Sequence, residues 1–67
     1  MMIVKINGQQ EKIPLNSSVE NMVSNLNLEA ERIVVELNEK IIKKIEWRHT
    51  IIKENDVIEL ISFVGGG

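Results

Sequence analysis

The chain has 67 residues, a formal net charge of −2 and no cysteine. This length predicts one domain near the lower size limit for an unassisted core. Without cysteine there is no disulfide framework, thiolate metal site or thiol nucleophile. The acidic balance and only two aromatic residues argue against nucleic-acid binding. No apolar stretch approaches the roughly 20 residues of a membrane span and no signal-peptide pattern is present, so we expect a cytoplasmic protein without membrane contact.

The beginning of the chain predicts a β-hairpin. Residues 2–6 are mostly β-branched and apolar, and they run into Asn7-Gly8, a dipeptide that favours a type I′ turn. Residues 11–15 alternate and are expected to return as the second strand. Because Pro14 cannot donate to a strand ladder, this strand is predicted to lie at an edge of the sheet.

A short helix is predicted next. Ser17 and Glu20 have the spacing of a capping box, with Ser17 as N-cap. Apolar residues follow at i, i+3, i+4 and i+7, the spacing of one helical face; they are Val19, Met22, Val23 and Leu26.

The remaining chain predicts three strands, over residues 33–37, 41–42 and 57–63. We expect residues 29–32 to form a loop and residues 45–47 a single turn that packs Trp47 against the core. The resulting order is ββ-α-ββ-β, an α+β domain with a mixed sheet of four to five strands on one main helix. This domain is expected to cover residues 1–64, followed by a flexible glycine tail over residues 65–67.

Alternation along the strands predicts an apolar patch on the open face of the sheet. Strand side chains point alternately to opposite faces. With Ile58 and Leu60 directed at the helix, four other apolar residues should face outward and form a docking face for a partner; they are Ile3, Val34, Ile61 and Phe63.

The charged residues indicate neither catalysis nor metal binding. His49 is the only histidine and lacks an identifiable catalytic partner, so we expect a surface role. The lysines at 40, 43 and 44 are expected to form a solvated turn. The acidic residues lie on several elements without shared spacing, so no metal or bound cofactor is expected; they are Glu36, Glu39, Glu54, Asp56 and Glu59.

The last three residues, Gly65, Gly66 and Gly67, present a main-chain carboxylate and no side chain. Extended, they reach roughly 10 Å beyond the last strand, far enough to enter a narrow channel in another protein. The alternative is an inert, frayed end.

Several segments together resemble the ubiquitin-like β-grasp sulfur carriers, in particular those of thiamine thiazole synthesis. The correspondences are residues 34–38, Ile41-Ile42, Trp47, residues 56–60 and residues 63–67. The chain departs from the common pattern at Lys43-Lys44, at Asn55 and in its third terminal glycine.

The resemblance implies a protein co-substrate and not an enzyme. An E1-like adenylyltransferase would use ATP to adenylate the carboxylate of Gly67, with Gly65 and Gly66 threaded through its channel. A sulfur donor such as a cysteine desulfurase would then supply sulfur for a thiocarboxylate, and thiazole synthase would accept it. Three other roles stay open: the small subunit of molybdopterin synthase, a ubiquitin-like modifier, and a plain interaction module with an inert tail.

Overall fold

The structure, a computed structural model, describes residues 1–63, so the predictions for the glycine tail lie outside the described residues. The strands are β1 (Met2–Ile6), β2 (Gln9–Ile13), β3 (Ile33–Leu37), β4 (Lys40–Ile42) and β5 (Val57–Ser62). One α-helix, α1 (Val19–Asn25), and two 3₁₀ helices, Ala30–Arg32 and Lys44–His49, complete the described elements. The predicted order ββ-α-ββ-β is confirmed, although residues 29–32 contain a 3₁₀ turn where a plain loop was expected.

The five strands form one mixed sheet in the order β2-β1-β5-β3-β4. β1 runs parallel to β5, and the other neighbouring strands are antiparallel. The edge position predicted for the second strand is confirmed, but Pro14 lies just after its last residue and not within it. The last strand in the sequence is therefore the central strand of the sheet.

Two tight turns close the hairpins. Asn7 and Gly8 both have positive φ, 50° and 83°, as the predicted type I′ turn requires. Asn38 and Glu39, with φ of 50° and 71°, make the matching turn between β3 and β4. The short side chain of asparagine tolerates this left-handed region better than most residues do.

The capping prediction was wrong by one residue. Ser18 is the N-cap of α1, and its Oγ accepts a hydrogen bond from the backbone N of Asn21 at 3.0 Å. Asn21 Oδ1 in turn accepts from the backbone N of Ser18 at 3.0 Å, which completes the capping box without Glu20. The hydroxyl of Ser17 instead donates to the carbonyl of Pro14 at 2.7 Å.

The helix covers one face of the sheet and closes the core. Val19, Met22 and Val23 are buried as predicted, whereas Leu26 is 42% exposed because α1 ends at Asn25 and Leu26 is its C-cap. The prediction for Trp47 is confirmed: it is buried, and its Nε1 donates to the carbonyl of Ile42 at 3.0 Å. The other buried apolar side chains are Met2, Val4, Ile6, Ile33, Val35, Ile52 and Ile58.

Within residues 1–63, no helix has the length and apolar character needed to cross a membrane.

Candidate functional site

The four residues predicted for the docking face do point away from the helix. Ile61 and Phe63 are 50% and 46% exposed, Ile3 is 37% exposed, and Val34 is half-buried. Their strand neighbours on the other face, such as Ile58 and Val35, are fully buried. The predicted orientation of the strands is therefore confirmed, while the docking role of these side chains stays a prediction.

The prediction of a single patch was wrong, because Ile3 lies apart from the other three residues. Val34 and Ile61 are directly paired across β3 and β5, and Phe63 lies two residues further along the same face. The carbonyl of Ile3, in contrast, accepts from the backbone N of Asn55, which precedes β5. In the parallel register of β1 and β5, two residues of β1 and four residues of β5, about 20 Å of extended chain, separate Ile3 from Ile61. We call Val34, Ile61 and Phe63 the apolar patch.

An acidic pair borders the apolar patch on the outer sheet face. Glu36 of β3 and Glu59 of β5 are directly opposite in the antiparallel register, and both are half-buried. Like charges in directly opposed positions are destabilising. Alternation along the strands places both residues on the outer face, but only the pairing of β3 with β5 shows that they are neighbours.

The end of β5 is held against the first 3₁₀ helix. The backbone N of Phe63 donates to the carbonyl of Arg32 at 3.0 Å, and Arg32 forms an ion pair with Glu29 at 3.4 Å. A shallow groove beside this contact is lined by Asn27, Leu28 and Ser62. Residues 64–67 follow this point in the sequence and lie outside the described residues. The roles predicted for Gly65, Gly66 and Gly67 therefore stay predictions.

A polar network between the β3–β4 turn and β5 was also missed by the sequence analysis. Asn38 Nδ2 donates to Asp56 Oδ1 at 3.0 Å, and Asn38 Oδ1 accepts from the backbone N of Val57 at 2.9 Å. Asp56 Oδ2 accepts from the backbone N of Lys53 at 2.7 Å. This network fixes where β5 begins and hence the position of every side chain along it.

The remaining candidate side chains form no catalytic arrangement in the described part of the chain. His49 is exposed and accepts a hydrogen bond from Arg48 Nε at 3.2 Å. Lys40, Lys43 and Lys44 are exposed, and Lys44 forms an ion pair with Glu31. No group of three or more histidine, aspartate or glutamate side chains among residues 1–63 is placed to hold a metal ion.

A mixed five-stranded sheet with one main helix across one face, in this strand order, defines a ubiquitin-like β-grasp protein. A solved structure of the thiamine biosynthesis protein ThiS from Geobacter metallireducens superposes with a TM-score of 0.86 at 29% identity, covering 98% of this chain and 100% of that one. The chain belongs to the ThiS family, whose family model matches residues 4–67.

Two curated relatives differ greatly in length. The sulfur carrier protein ThiS of Bacillus subtilis strain 168 is 30% identical over 66 residues, which cover 97% of this chain and all of that protein. A thiazole synthase of Paramagnetospirillum magneticum is 27% identical over 62 residues, or 92% of this chain. The chain spans only about a fifth of the length of the thiazole synthases that it matches.

Proposed function

We propose that this chain is a sulfur carrier that delivers sulfur, as a C-terminal thiocarboxylate on Gly67, to the thiazole of thiamine. The observation that carries the proposal is the match to the ThiS family over residues 4–67, which includes the terminal glycines. Full-length similarity to the sulfur carrier of Bacillus subtilis supports the same role.

The chemistry begins at the carboxylate of Gly67. In an E1-like adenylyltransferase, a carboxylate oxygen attacks the α-phosphate of ATP, pyrophosphate leaves, and an acyl-adenylate forms. The terminal sulfur of a persulfide, supplied by a cysteine desulfurase, then displaces AMP and gives an acyl disulfide. A second thiol reduces the S–S bond, so the thiocarboxylate is released and a disulfide remains on the donor side. The carrier itself supplies only the carboxylate, since its folded part holds no reactive group that the mechanism needs.

Thiazole synthase is the proposed acceptor of the sulfur. Two thiazole synthases contain a region similar to nearly the whole of this chain. A carrier-like region within the acceptor enzyme's own chain supports a functional association between the two. The free carrier would dock through the apolar patch, which includes Ile61 of the last strand and Phe63 just before the tail. Ile3 lies on the same face but about 20 Å away, so it would contact a different part of a partner.

The proposal is tested by the intact mass of the chain after incubation with ATP, a ThiS-activating adenylyltransferase and a persulfide donor. We expect a gain that corresponds to the replacement of one oxygen by sulfur, and no gain in a chain that lacks Gly67. A parallel incubation of the Bacillus subtilis carrier checks that the adenylyltransferase is active. An unchanged mass under those conditions would contradict the proposal. Isopeptide conjugates on target lysines would instead indicate a modifier, and sulfur transfer to a molybdopterin precursor would indicate the other carrier role.

A further inference from the structure

The central strand β5 has one edge that its neighbour covers only in part. β1 pairs with β5 at two positions, Lys5 opposite Val57 and Ile6 opposite Ile58. After Ile6 the chain turns away into the hairpin, whereas β5 continues to Ser62. Among residues 1–63, no strand lies along the β1 side of the last part of β5.

The hydrogen bonds on both sides of β5 show which backbone groups face this free edge. Toward β1, the carbonyls of Asp56 and Ile58 accept from the backbone N of Lys5 and Asn7, each at 2.9 Å. Toward β3, the carbonyl of Val57 accepts from the backbone N of Asn38 at 2.8 Å. The even-numbered residues of β5 therefore direct their N–H and C=O groups to the β1 side, and the odd-numbered residues direct theirs to β3.

A side chain occupies the first position of the free edge. The backbone N of Leu60 donates to Asn7 Oδ1 at 2.8 Å, so the turn asparagine accepts where a further strand residue would have accepted. The next groups on this edge are the carbonyl of Leu60 and the N–H of Ser62. Ser62 is exposed, and no described strand pairs with it on this side. The edge therefore presents one acceptor and one donor in strand geometry.

We infer that this edge, formed by Leu60 C=O and Ser62 N–H, binds an extended segment of the protein that activates Gly67 and adds a strand to the sheet there. The inference rests on the proposed function. Extended peptides commonly bind exposed sheet edges through main-chain hydrogen bonds. Gly67 lies five residues beyond Ser62 in sequence, at most about 18 Å of extended chain. A protein that acts on the Gly67 carboxylate must therefore come close to this edge, a constraint that does not apply to a second copy of the chain.

The test uses a donor-removing substitution and a matched control in the full-length chain. Ser62→Pro removes the N–H and places a ring at the edge, yet it breaks no bond to β3, because proline is tolerated where the N–H faces outward. Ser62→Ala keeps the N–H and removes only the side chain. We expect both variants to unfold at similar urea concentrations. Ser62→Pro should need about tenfold more adenylyltransferase than Ser62→Ala for half-maximal formation of the acyl-adenylate.

Equal adenylation of the two folded variants would overturn the inference while leaving the proposed function intact. Failure of the wild-type chain to be adenylated would overturn both. Amide hydrogen exchange of the wild-type chain gives a second readout that does not depend on how Ser62→Pro folds. The Ser62 amide should exchange rapidly in the free protein and slowly in the complex. Rapid exchange at Ser62 in a saturated complex would equally contradict strand addition, and protection that grows with carrier concentration alone would indicate self-association.

Discussion

The side chain of Asn38 substitutes for a strand residue at the start of β5, where its Oδ1 accepts from the backbone N of Val57 at 2.9 Å. Its Nδ2 donates a hydrogen bond to Asp56 Oδ1 at 3.0 Å. One residue thus combines a left-handed turn conformation, with φ of 50°, and two hydrogen bonds that fix the register of the central strand. Substitutions of Asn38 can separate the contribution of the turn conformation from that of the two hydrogen bonds.

Asn38→Gly should destabilise the protein by about 1–3 kcal/mol, because it keeps the turn conformation but loses both side-chain hydrogen bonds. Asn38→Ala should cost roughly 1 kcal/mol more, since alanine also disfavours positive φ. Urea unfolding followed by circular dichroism measures both. Equal stability of the glycine variant and the wild type would show that the hydrogen bonds contribute nothing.

Two substitutions of Ser18 provide a matched test of the helix cap. Ser18→Ala removes the acceptor for the backbone N of Asn21 and should destabilise the protein by about 0.5–2 kcal/mol. Ser18→Gly should destabilise it by only about a few tenths of a kcal/mol. Both free energies come from urea unfolding. If the alanine and glycine variants are equally destabilised, the loss reflects packing of the buried serine and not capping.

The acidic pair predicts a salt-dependent stability. Replacing Glu59 with glutamine removes the repulsion with Glu36 and should stabilise the protein by about 0.2–1 kcal/mol. High salt should shrink the gain, because screening weakens the repulsion in the wild type. Glu39→Gln, which alters an exposed carboxylate in the β3–β4 turn, serves as the charge-matched control. A gain of the same size in that control would assign the effect to net charge.

Trp47 contributes both volume and a hydrogen bond to the core. Trp47→Phe loses the hydrogen bond to the Ile42 carbonyl and part of the buried ring volume, so we expect a loss of about 1–3 kcal/mol. Trp47→Ala adds a large cavity, with an expected loss of about 3–5 kcal/mol. Thermal and urea unfolding rank the variants. A phenylalanine variant as unstable as the alanine variant would mean that the hydrogen bond dominates.

Gly66→Val should abolish activation of Gly67 while leaving the fold intact. If Gly65 and Gly66 pass through a narrow channel of the adenylyltransferase, as we propose, an added branched side chain would clash there. Urea unfolding reports on the fold, and intact mass reports on thiocarboxylation. A variant that acquires the thiocarboxylate at the wild-type rate would show that the channel accepts side chains. Gly8→Ala is not a suitable control, because Gly8 has a φ of 83° and the variant would be strained.

Alternation and turn chemistry predicted the elements and their faces, because both are local properties. Val35 and Ile58 could be placed inside, and Ile61 outside, without knowledge of the sheet order. The position of a residue along a face depends on which strands are neighbours and in which direction they run. Ile3 was therefore grouped with Ile61, although the parallel register of β1 and β5 places them at opposite ends.

The helix cap shows a second limit of local patterns. Ser17 and Ser18 are both suitable N-cap residues, and the sequence spacing favoured Ser17 with Glu20. The choice depends on the carbonyl of Pro14, which accepts the hydroxyl of Ser17, and on Asn21, whose amide completes the box. Neither contact can be inferred from residue type alone, because each requires the path of the backbone between β2 and α1.

The central position of β5 has a consequence for how the protein is made. β1 borders a strand that is translated more than fifty residues later. Contacts so distant in sequence slow folding. A nascent chain still on the ribosome would therefore keep the apolar residues of β1 and β3 without their shared neighbour until Ser62 has emerged. The sheet is therefore completed only when β5 pairs with β1 and β3, and the free edge of β5 forms in the same step.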